Sequence, residues 1–416
     1  MNKIITEKLV SRTLQKLKKI DDLHPYVDKI VKNLILNNYN FYFVGGAIRD
    51  ILISIFNNTK LKEIQDVDIV IETNEYNKIV ELVQKIFHTE KDIHIKTYPQ
   101  FLTISIFVSF KNKTKRIDLS IPRKEEYPYP ASLPKVSIGT IFDDVYRRDF
   151  SVNAICLRYD HENKIYSFYD PFGGIKDIIE KKIKVLHDKS FIDDPTRILR
   201  GIRFAALLKF KFDQNTEKLI KEAIKKNIFA CLSETRLNSE FVNILKKGKN
   251  LKQLVKLLKK YKVDDCYKSI KELIGKFLIY ANKIELKNIK DNKIKFYLRL
   301  LFLLEKTFGK VGILETNKLG VFKECLVKLN ITKEERQPIY DAVKIFAYGQ
   351  TRKLPKWIKI YSRVFKRKII KLPIKPAKLI SLGVPKQKIK DVVLYVLSHK
   401  LKHLSNKKIK SITLKL

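Results

Sequence analysis

The spacing of hydrophobic positions separates a first part that mixes strands with helices from a second part that is helical throughout. Residues 5–37 repeat apolar positions at helical spacing with breaks at Asp21-Asp22 and Pro25, which predicts two helices. Short apolar or alternating runs predict strands at 41–44, 67–72, 92–97, 101–110 and 115–121. Helices are predicted after the first two of these strands. This mixture over about the first 160 residues predicts an α/β or α+β head built on a sheet.

The strand patterns end at about residue 190. Beyond it, apolar residues recur every three or four positions between Asn, Gly and Pro, so the second half is predicted to be all-helical. Residues 122–140 contain four prolines and are predicted to be a loop. The chain is therefore expected to have an α+β fold with a sheet-containing head followed by an all-α part.

The charge of the chain is strongly positive. Its 416 residues carry 86 Lys and Arg against 44 Asp and Glu, a net charge of +42. An A+T-rich genome that favours Lys codons explains part of this excess, but not its concentration in residues 351–416, where Asp391 is the only acid. With Trp357 and Tyr361 among the basic residues, this tail is predicted to form short helices that bind an RNA backbone. A solvated tail is the alternative.

Other features narrow the class of protein. The cysteines at 156, 231, 266 and 325 are scattered without CxxC spacing, which argues against a disulfide framework or a zinc site. The N-terminal segment is too charged for a signal peptide, and no apolar run has the length of a membrane span. We therefore expect a soluble, cytoplasmic protein with no membrane partner.

Three aspartates are candidates for metal-dependent catalysis. Asp66 and Asp68 stand two apart on a predicted strand, so both side chains point to one face. Two such carboxylates repel each other unless a cation lies between them, and Mg²⁺ suits carboxylate and phosphate oxygens. Asp118 lies on another alternating strand and would be a third ligand if the sheet brings the strands together. Solvated acids at strand ends are the alternative.

A glycine pair precedes these aspartates. Gly45-Gly46 lies between a predicted strand and a predicted helix, where backbone N–H groups can approach an anion closely. The pair is predicted to hold the triphosphate of a nucleotide. Arg49 is expected either to pair with Asp50 and brace the site or to reach a phosphate. A plain tight turn is the alternative reading of the glycines.

The segment YRRDFSVNAI supplies further nucleotide ligands. Arg147 and Arg148 are predicted to donate to phosphate oxygens, and Asp149 to accept from a ribose hydroxyl. Asn153 follows one helical turn later and is predicted to orient Asp149.

The segment FIDDPTRILRGIRF is the candidate for base selection. Asp194 offers an acceptor and Arg197 offers donors three residues later on a predicted helix surface, so together they resemble the edge of a base. An acceptor facing an exocyclic amine fits cytosine N4 and adenine N6. At least one of Arg197, Arg200 and Arg203 is predicted to face phosphate. Helix capping by an Asp before Pro195 is the alternative.

In this order, GGAIRD, DVD, RRDFSVNAI, DPFGGIKD, DDPTR and SETR resemble the motifs of the class II tRNA nucleotidyltransferase and bacterial poly(A) polymerase family over residues 41–241. The family often has Glu where Asp193 stands. The resemblance implies a nucleotidyltransferase head at 1–160, a base-recognising neck at 161–260, a helical body at 261–345 and a tRNA-binding tail at 346–416. It implies Asp66 and Asp68 as metal ligands, and Asp194 with Arg197 as the selector of CTP or ATP.

The resemblance implies an enzyme that adds C, A or both to the 3′ end of tRNA with Mg²⁺ and without a nucleic-acid template. The CCA-adding, CC-adding and A-adding activities stay open at this point, as does poly(A) polymerase activity. A non-catalytic RNA-binding protein is the alternative of another class. The segment 122–140 is expected to govern the switch from C to A addition.

Overall fold

A computed structural model describes residues 3–110, 113–289, 291–308, 324–348, 356–365, 376–389, 392 and 405–415. The chain divides into two compact units, Met1–Leu232 and Ser233–Leu416. The finer division into head, neck, body and tail stays a prediction.

The first unit contains all the described strands. In chain order they are β1 Phe41–Val44, β2 Asp66–Ile71, β3 Ile93–Tyr98, β4 Thr103–Phe110, β5 Lys113–Ser120, β6 Arg123–Glu126, β7 Lys135–Ile138, β8 Cys156–Asp160, β9 Ile165–Tyr169, β10 Lys182–Ile183 and β11 Lys211–Phe212. Its α-helices are α1 Lys3–Leu17, α2 His24–Leu36, α3 Gly46–Phe56, α4 Tyr76–Phe87, α5 Ile141–Tyr146, α6 Gly174–Ile179, α7 Ser190–Asp193, α8 Thr196–Leu208 and α9 Gln214–Lys225.

A seven-stranded mixed sheet forms the centre of this unit, in the order β3-β4-β5-β2-β1-β8-β9. Only β2 and β5 run parallel, and every other neighbouring pair in this sheet is antiparallel. Strand β1 is buried along its whole length, because FYFV lies between β2 and β8. Apolar residues of β2, among them Val67 and Ile69, are buried in the core. The predicted combination of a sheet-containing head and a helical second half is confirmed.

The structure corrects two expectations about strands. Segment 122–140 is not a loop, because β6 and β7 pair within it as an antiparallel hairpin. Its four prolines, which cannot donate to a strand ladder, all lie outside the paired residues. Strands also continue past residue 190, since Phe212 of β11 pairs with Ile183 of β10. A two-residue strand is too short to show an alternating pattern.

The second unit is helical in its described residues, as predicted. Its helices with described bounds are Glu234–Lys247, Leu251–Lys260, Lys271–Tyr280, Asn292–Phe308, Lys333–Tyr348, Lys356–Val364, Pro376–Ser381 and Asn406–Lys415. The Ser233 side chain caps the first of them by accepting from the Arg236 N–H. The last three carry part of the predicted basic tail, while Asp391 lies outside the described residues.

One buried arginine of the second unit joins two backbone segments, 245–248 and 284–285. The Arg299 side chain is only 1% exposed and donates to the carbonyl oxygens of Ile284, Leu245, Gly248 and Glu285 at 2.8–3.1 Å. Burial lowers the pKa of Arg299 to about 10, which leaves it charged at neutral pH. The guanidinium therefore supplies hydrogen-bond donors to buried backbone carbonyl groups.

Replacement of Arg299 by Met is expected to destabilise the protein by about 3–5 kcal/mol, because buried carbonyl groups lose their donors together. Urea unfolding followed by circular dichroism measures this change. Lys252→Met removes the same charge from an exposed position and is expected to change stability by less than about 0.5 kcal/mol. Equal stabilities of the two variants would contradict this account of Arg299.

Candidate active site

The parallel pairing of β2 with β5 brings the predicted carboxylates together. Asp68 stands directly opposite Asp118, and Asp66 stands opposite Arg116. Because side chains alternate along a strand, Asp66, Asp68 and Asp118 share one face of the sheet. The juxtaposition expected from the sequence is present.

Two side chains that the sequence reasoning missed also contact these carboxylates. The Arg116 Nε lies 3.2 Å from Asp118 Oδ2 and 3.7 Å from Asp66 Oδ1. The Ser105 hydroxyl donates to Asp118 Oδ1 at 2.6 Å. Across the described residues, no three His, Cys, Asp or Glu side chains form a cluster that could hold a metal ion by themselves. The donors therefore suit a cation that takes one or two carboxylates and completes its shell with phosphate oxygens.

The protonation of the carboxylates reflects their burial. Burial raises the pKa of Asp68 to about 6; the guanidinium of Arg148 opposes this shift, and the charges of Asp118 and Asp66 add to it. Burial also raises the pKa of Asp118. The face thus concentrates negative charge that lacks full compensation by the protein, which favours an incoming cation.

Asp68 leaves no room for a side chain at the first glycine of the pair. Gly45 has a φ of +75° and a ψ of −145°, a conformation that is almost confined to glycine. A Cβ at Gly45 would lie 2.7 Å from Asp68 Oδ2 and 3.3 Å from Arg148 Nη1. At Gly46 the nearest atom would be Arg49 Nη2 at 3.5 Å, an ordinary contact. Gly45 therefore lets the start of α3 approach the carboxylate.

Arg49 is a bracing residue in this structure, the first of the two expected alternatives. It is 7% exposed and donates from Nε to Asp50 Oδ1 at 2.8 Å and from Nη1 to Asn153 Oδ1 at 2.7 Å. These contacts tie α3 to the segment that follows Arg147 and Arg148. A phosphate contact by Arg49 stays a prediction.

A buried aspartate positions the arginine pair. Asp144 on α5 accepts from Arg147 Nη2 at 2.7 Å and from Arg148 Nη2 at 2.9 Å. Burial alone would raise the pKa of Asp144, but the two guanidinium groups hold it at about 2. Glu125 on the hairpin also contacts Arg147, at 3.3 Å. The i,i+3 and i,i+4 spacing of Asp144 from the arginines could have identified it in the sequence.

These groups surround a cavity of about 440 Å³. It combines acidic and basic walls and is lined by Asp68, Tyr98, Phe101, Thr103, Ser105, Arg116, Asp118, Ser120, Arg123, Arg147 and Arg148. Its volume falls within the range of small-molecule sites. A ligand that carries both phosphate groups and a bound cation matches this distribution of charge.

Asp149 is held by Asn153, as expected, and by Arg200, a partner that the sequence did not indicate. Its Oδ1 accepts from Asn153 Nδ2 at 2.8 Å, and its Oδ2 accepts from Arg200 Nε and Nη2 at 3.0 and 2.7 Å. Although burial alone would raise it, the pKa of Asp149 is lowered by Arg200 and Asn153. The orienting contact of Asn153 is present, while the contact of Asp149 with a ribose stays a prediction.

The structure corrects the expected placement of Asp194 and Arg197 on one helix surface. Asp194 precedes α8 in extended backbone, and its Oδ1 accepts from the Thr196 N–H and hydroxyl at 3.0 and 2.6 Å. Asp194 thus caps α8, as the alternative proposed. Arg197 is 4% exposed and donates to Ser190 Oγ at 2.9 Å and to the Arg147 carbonyl at 2.7 Å. The difference arises because Asp194 and Pro195 both precede α8, which begins at Thr196.

The other arginines of α8 pack against one ring. The guanidinium carbons of Arg203, Arg49 and Arg200 lie 4.8, 5.1 and 5.8 Å from the centre of the Phe204 ring. Arg203 is 8% exposed and Arg200 pairs with Asp149. Cation–π contacts therefore stabilise part of the positive charge on this helix. A phosphate contact by Arg197, Arg200 or Arg203 stays a prediction.

His187 links this region to α5 through a stack on Tyr146, with ring centres 4.7 Å apart. Burial, followed by the charge of Arg197, lowers the pKa of His187 to about 4. Its Nδ1 lies 3.9 Å from Asp193 Oδ2, a pair that favours the protonated ring. Burial of the ring outweighs the attraction of Asp193, because the distance between the two side chains is long.

Because the folded pKa of His187 lies below its ordinary value of 6.5, the folded state binds fewer protons, and stability is lost as pH falls from about 6.5 to 4. Urea unfolding at pH 7.0 and 4.5 is expected to show about 1–2 kcal/mol less acid destabilisation for His187→Phe than for the wild type. The exposed His88→Gln serves as control. Identical pH dependence of all three proteins would contradict this account.

Comparison with known proteins confirms the resemblance found in the motifs. The family model described as Poly A polymerase head domain matches residues 41–184. An A-adding tRNA nucleotidyltransferase of Aquifex aeolicus (strain VF5) is 35% identical over 222 residues, 53% of this chain and 25% of the relative. A CCA-adding enzyme of Listeria monocytogenes serotype 4a (strain HCC23) is 27% identical over 252 residues, 58% of this chain and 56% of the relative. The chain thus spans about a quarter of the first relative and about half of the second.

Solved structures share the fold over nearly the whole chain. The structure of a CCA-adding enzyme, apo form II, has a TM-score of 0.58 and 24% identity, covering 96% of this chain and 98% of that chain. A tRNA nucleotidyltransferase complexed with a primer tRNA and an incoming ATP analog has a TM-score of 0.53 and 23% identity, covering 92% and 97%. Among the described residues, no helix has both the length and the apolar character of a membrane span.

Proposed function

We propose that this chain is a tRNA nucleotidyltransferase that adds C, A or both to the 3′ end of tRNA from CTP and ATP. The observation that carries the proposal is the cavity in which Asp68 and Asp118 face each other across β2 and β5 beside Arg147 and Arg148. The motif resemblance and the names of the relatives support the choice of tRNA and of these nucleotides.

The arginine pair and the first glycine have distinct roles in this reaction. Arg147 and Arg148, fixed by Asp144, donate to the oxygens of the triphosphate. The bend at Gly45 lets the N-terminus of α3 approach the same phosphates. The 3′ hydroxyl of the primer then attacks the α-phosphorus in line and pyrophosphate leaves.

Magnesium fits the donor set, because a hard cation binds a few carboxylates together with phosphate oxygens. Asp66 and Asp68 would hold it, with Asp118 beside Asp68. When bound, it neutralises developing charge on the phosphates and lowers the pKa of the attacking hydroxyl. Asp118, which accepts from Ser105 and contacts Arg116, keeps the opposing wall of the cavity negative.

The motif resemblance supports Asp194 and Arg197 as the residues that select the base. Arg197→Ala is expected to weaken discrimination against UTP and GTP by about 10- to 100-fold, because a paired donor and acceptor separate bases by about that factor. The kcat/KM ratio of each nucleotide on one tRNA primer measures it. Ser190→Ala, which removes one contact of Arg197 but no group assigned to the base, serves as control. Unchanged nucleotide choice in Arg197→Ala would refute the assignment.

The deciding experiment supplies labelled CTP or ATP separately to tRNA ending before the CCA, after the first C and after the second C, and to an oligo(A) primer. Use of CTP alone, of ATP only after CC, or of both in order identifies the CC-adding, A-adding or CCA-adding enzyme. Indiscriminate extension of oligo(A) would identify the second candidate, a poly(A) polymerase, which the matching head-domain family favours. RNA binding without metal-dependent incorporation would overturn both.

A further inference from the structure

A second cavity lies in the first unit, apart from the proposed catalytic site. Its volume is about 610 Å³, and none of its lining residues lines the carboxylate cavity. Lysines dominate its walls, namely Lys16, Lys18, Lys19, Lys60, Lys62 and Lys115, and Glu63 is the one carboxylate among its lining residues. We call it the lysine pocket.

Strand β5 separates the two cavities. Arg116 contacts the carboxylates of the catalytic face, whereas the adjacent Lys115 lines the lysine pocket. Because neighbouring side chains on a strand point to opposite faces, the lysine pocket opens on the other side of the sheet. A ligand bound there would not compete directly with a nucleotide at Asp68.

The innermost lysine already has partners. The Lys115 side chain is 1% exposed, and its Nζ lies 3.2 Å from Asp22 Oδ2 and 3.7 Å from Glu63 Oε1. Lys115 therefore offsets the two carboxylates nearest to it. Within the described part of the chain, the other lysines of the pocket form no ion pair, and only Lys16 donates to a protein group, the Thr59 carbonyl at 3.4 Å.

The start of α2 adds a further attraction for anions. His24 and Pro25, the first residues of this 13-residue helix, line the pocket. No side chain caps the helix at Leu23, and the 3-10 helix Asp21–Leu23 leads directly into it, so the attraction comes from the helix dipole and not from free N–H groups. Helix N-termini carry partial positive charge and bind phosphate groups.

The lining also indicates the class of ligand. It contains no Phe, Tyr or Trp, and His24 is the one aromatic ring among its lining residues, so it offers little surface on which a base could stack. Its volume lies in the range of small-molecule sites, and its charge favours a ligand with several negative charges. We propose that the lysine pocket is a second anion site that binds a compact oligophosphate, such as inorganic triphosphate or pyrophosphate, independently of the proposed nucleotidyl transfer.

The test measures binding of inorganic triphosphate to the full chain by calorimetry in EDTA, at low and high salt. Lys60→Gln/Lys62→Gln is expected to weaken binding about tenfold at low salt, since each exposed charge contributes up to about 1 kcal/mol. Lys225→Gln/Lys226→Gln removes the same charge from exposed positions at the C-terminal end of α9 and is expected to leave the affinity unchanged. Equal weakening by both variants would reduce the effect to net charge and overturn the proposal.

Lysine acetylation followed by mass spectrometry locates the ligand. Triphosphate is expected to protect Lys60 and Lys62 in the wild type and in Asp68→Asn, which separates this pocket from the catalytic cavity. An RNA oligonucleotide without a 5′ phosphate forms a parallel arm. Protection by RNA but not by triphosphate would overturn the proposal in favour of an RNA-binding surface, and protection by neither would leave no second site.

Discussion

Replacement of Asp68 by Asn is expected to lower nucleotide incorporation by at least about 10³-fold while tRNA binding is retained. The variant keeps the size of the side chain but loses the charge that faces Asp118 across β2 and β5, and charge stabilisation by a bound cation is worth several kcal/mol in such reactions. Incorporation of labelled CTP and ATP measures the loss, and filter binding with tRNA measures the affinity. Asp66→Asn is expected to behave in the same way.

The stability of the Asp68→Asn variant provides a readout that does not depend on incorporation. Because burial raises the pKa of Asp68 to about 6, its ionisation at pH 7.5 opposes folding in the absence of divalent cations. The variant is therefore expected to be at least as stable as the wild type in EDTA, and added Mg²⁺ should raise the Tm of the wild type only. Asp28→Asn, which alters a surface ion pair on α2, is the matched control. Substantial incorporation by Asp68→Asn would show that the catalytic carboxylates have been misplaced.

The second large effect separates the two glycines of the pair. Gly45→Ala is expected to reduce incorporation by about 10²-fold and stability by about 1–3 kcal/mol, because the new methyl group meets Asp68 and the backbone is strained. Gly46→Ala places its methyl group in ordinary contact with Arg49 and is expected to be nearly neutral. Steady-state kinetics and urea unfolding measure both variants.

Strain and crowding at Gly45 can be told apart with Gly173→Ala. Gly173 also has a positive φ, of +70°, but a Cβ there would meet nothing within 4 Å. It is expected to lose about 1 kcal/mol of stability with little change in incorporation. Loss of incorporation in Gly46→Ala equal to that in Gly45→Ala would contradict the role given to the contact with Asp68.

The sequence predicted those parts of the fold and site that depend on local pattern. Alternation identified β2 and β5, and the i,i+2 spacing of Asp66 and Asp68 placed them on one face. Asp118 was expected beside them only if the sheet brought its strand next to theirs, and the register places it opposite Asp68. Local spacing was enough here because a strand's period is short and regular.

Long-range contacts were beyond the sequence pattern. Nothing local indicates that Arg197 reaches the carbonyl of Arg147 and becomes buried. Arg116, by contrast, stands two residues before Asp118 on β5, so the same alternation could have placed it beside Asp118. The placement of Asp194 and Arg197 on one helix surface, expected from their three-residue spacing, was wrong because α8 begins only at Thr196, after Asp194 and Pro195. The hairpin within 122–140 was missed because its prolines, which mark turns, obscured two strands of four residues each.

The parallel pairing of β2 with β5 has a consequence for folding kinetics. The antiparallel strands β3, β4 and β5 follow one another along the chain and can zip together early, whereas β5 can join β2 only after the intervening segment has closed into a loop. The two walls of the carboxylate cavity are therefore expected to meet late on the folding pathway. In pulsed hydrogen exchange during refolding, amides that hydrogen-bond between β4 and β5 should gain protection before amides that hydrogen-bond between β2 and β5.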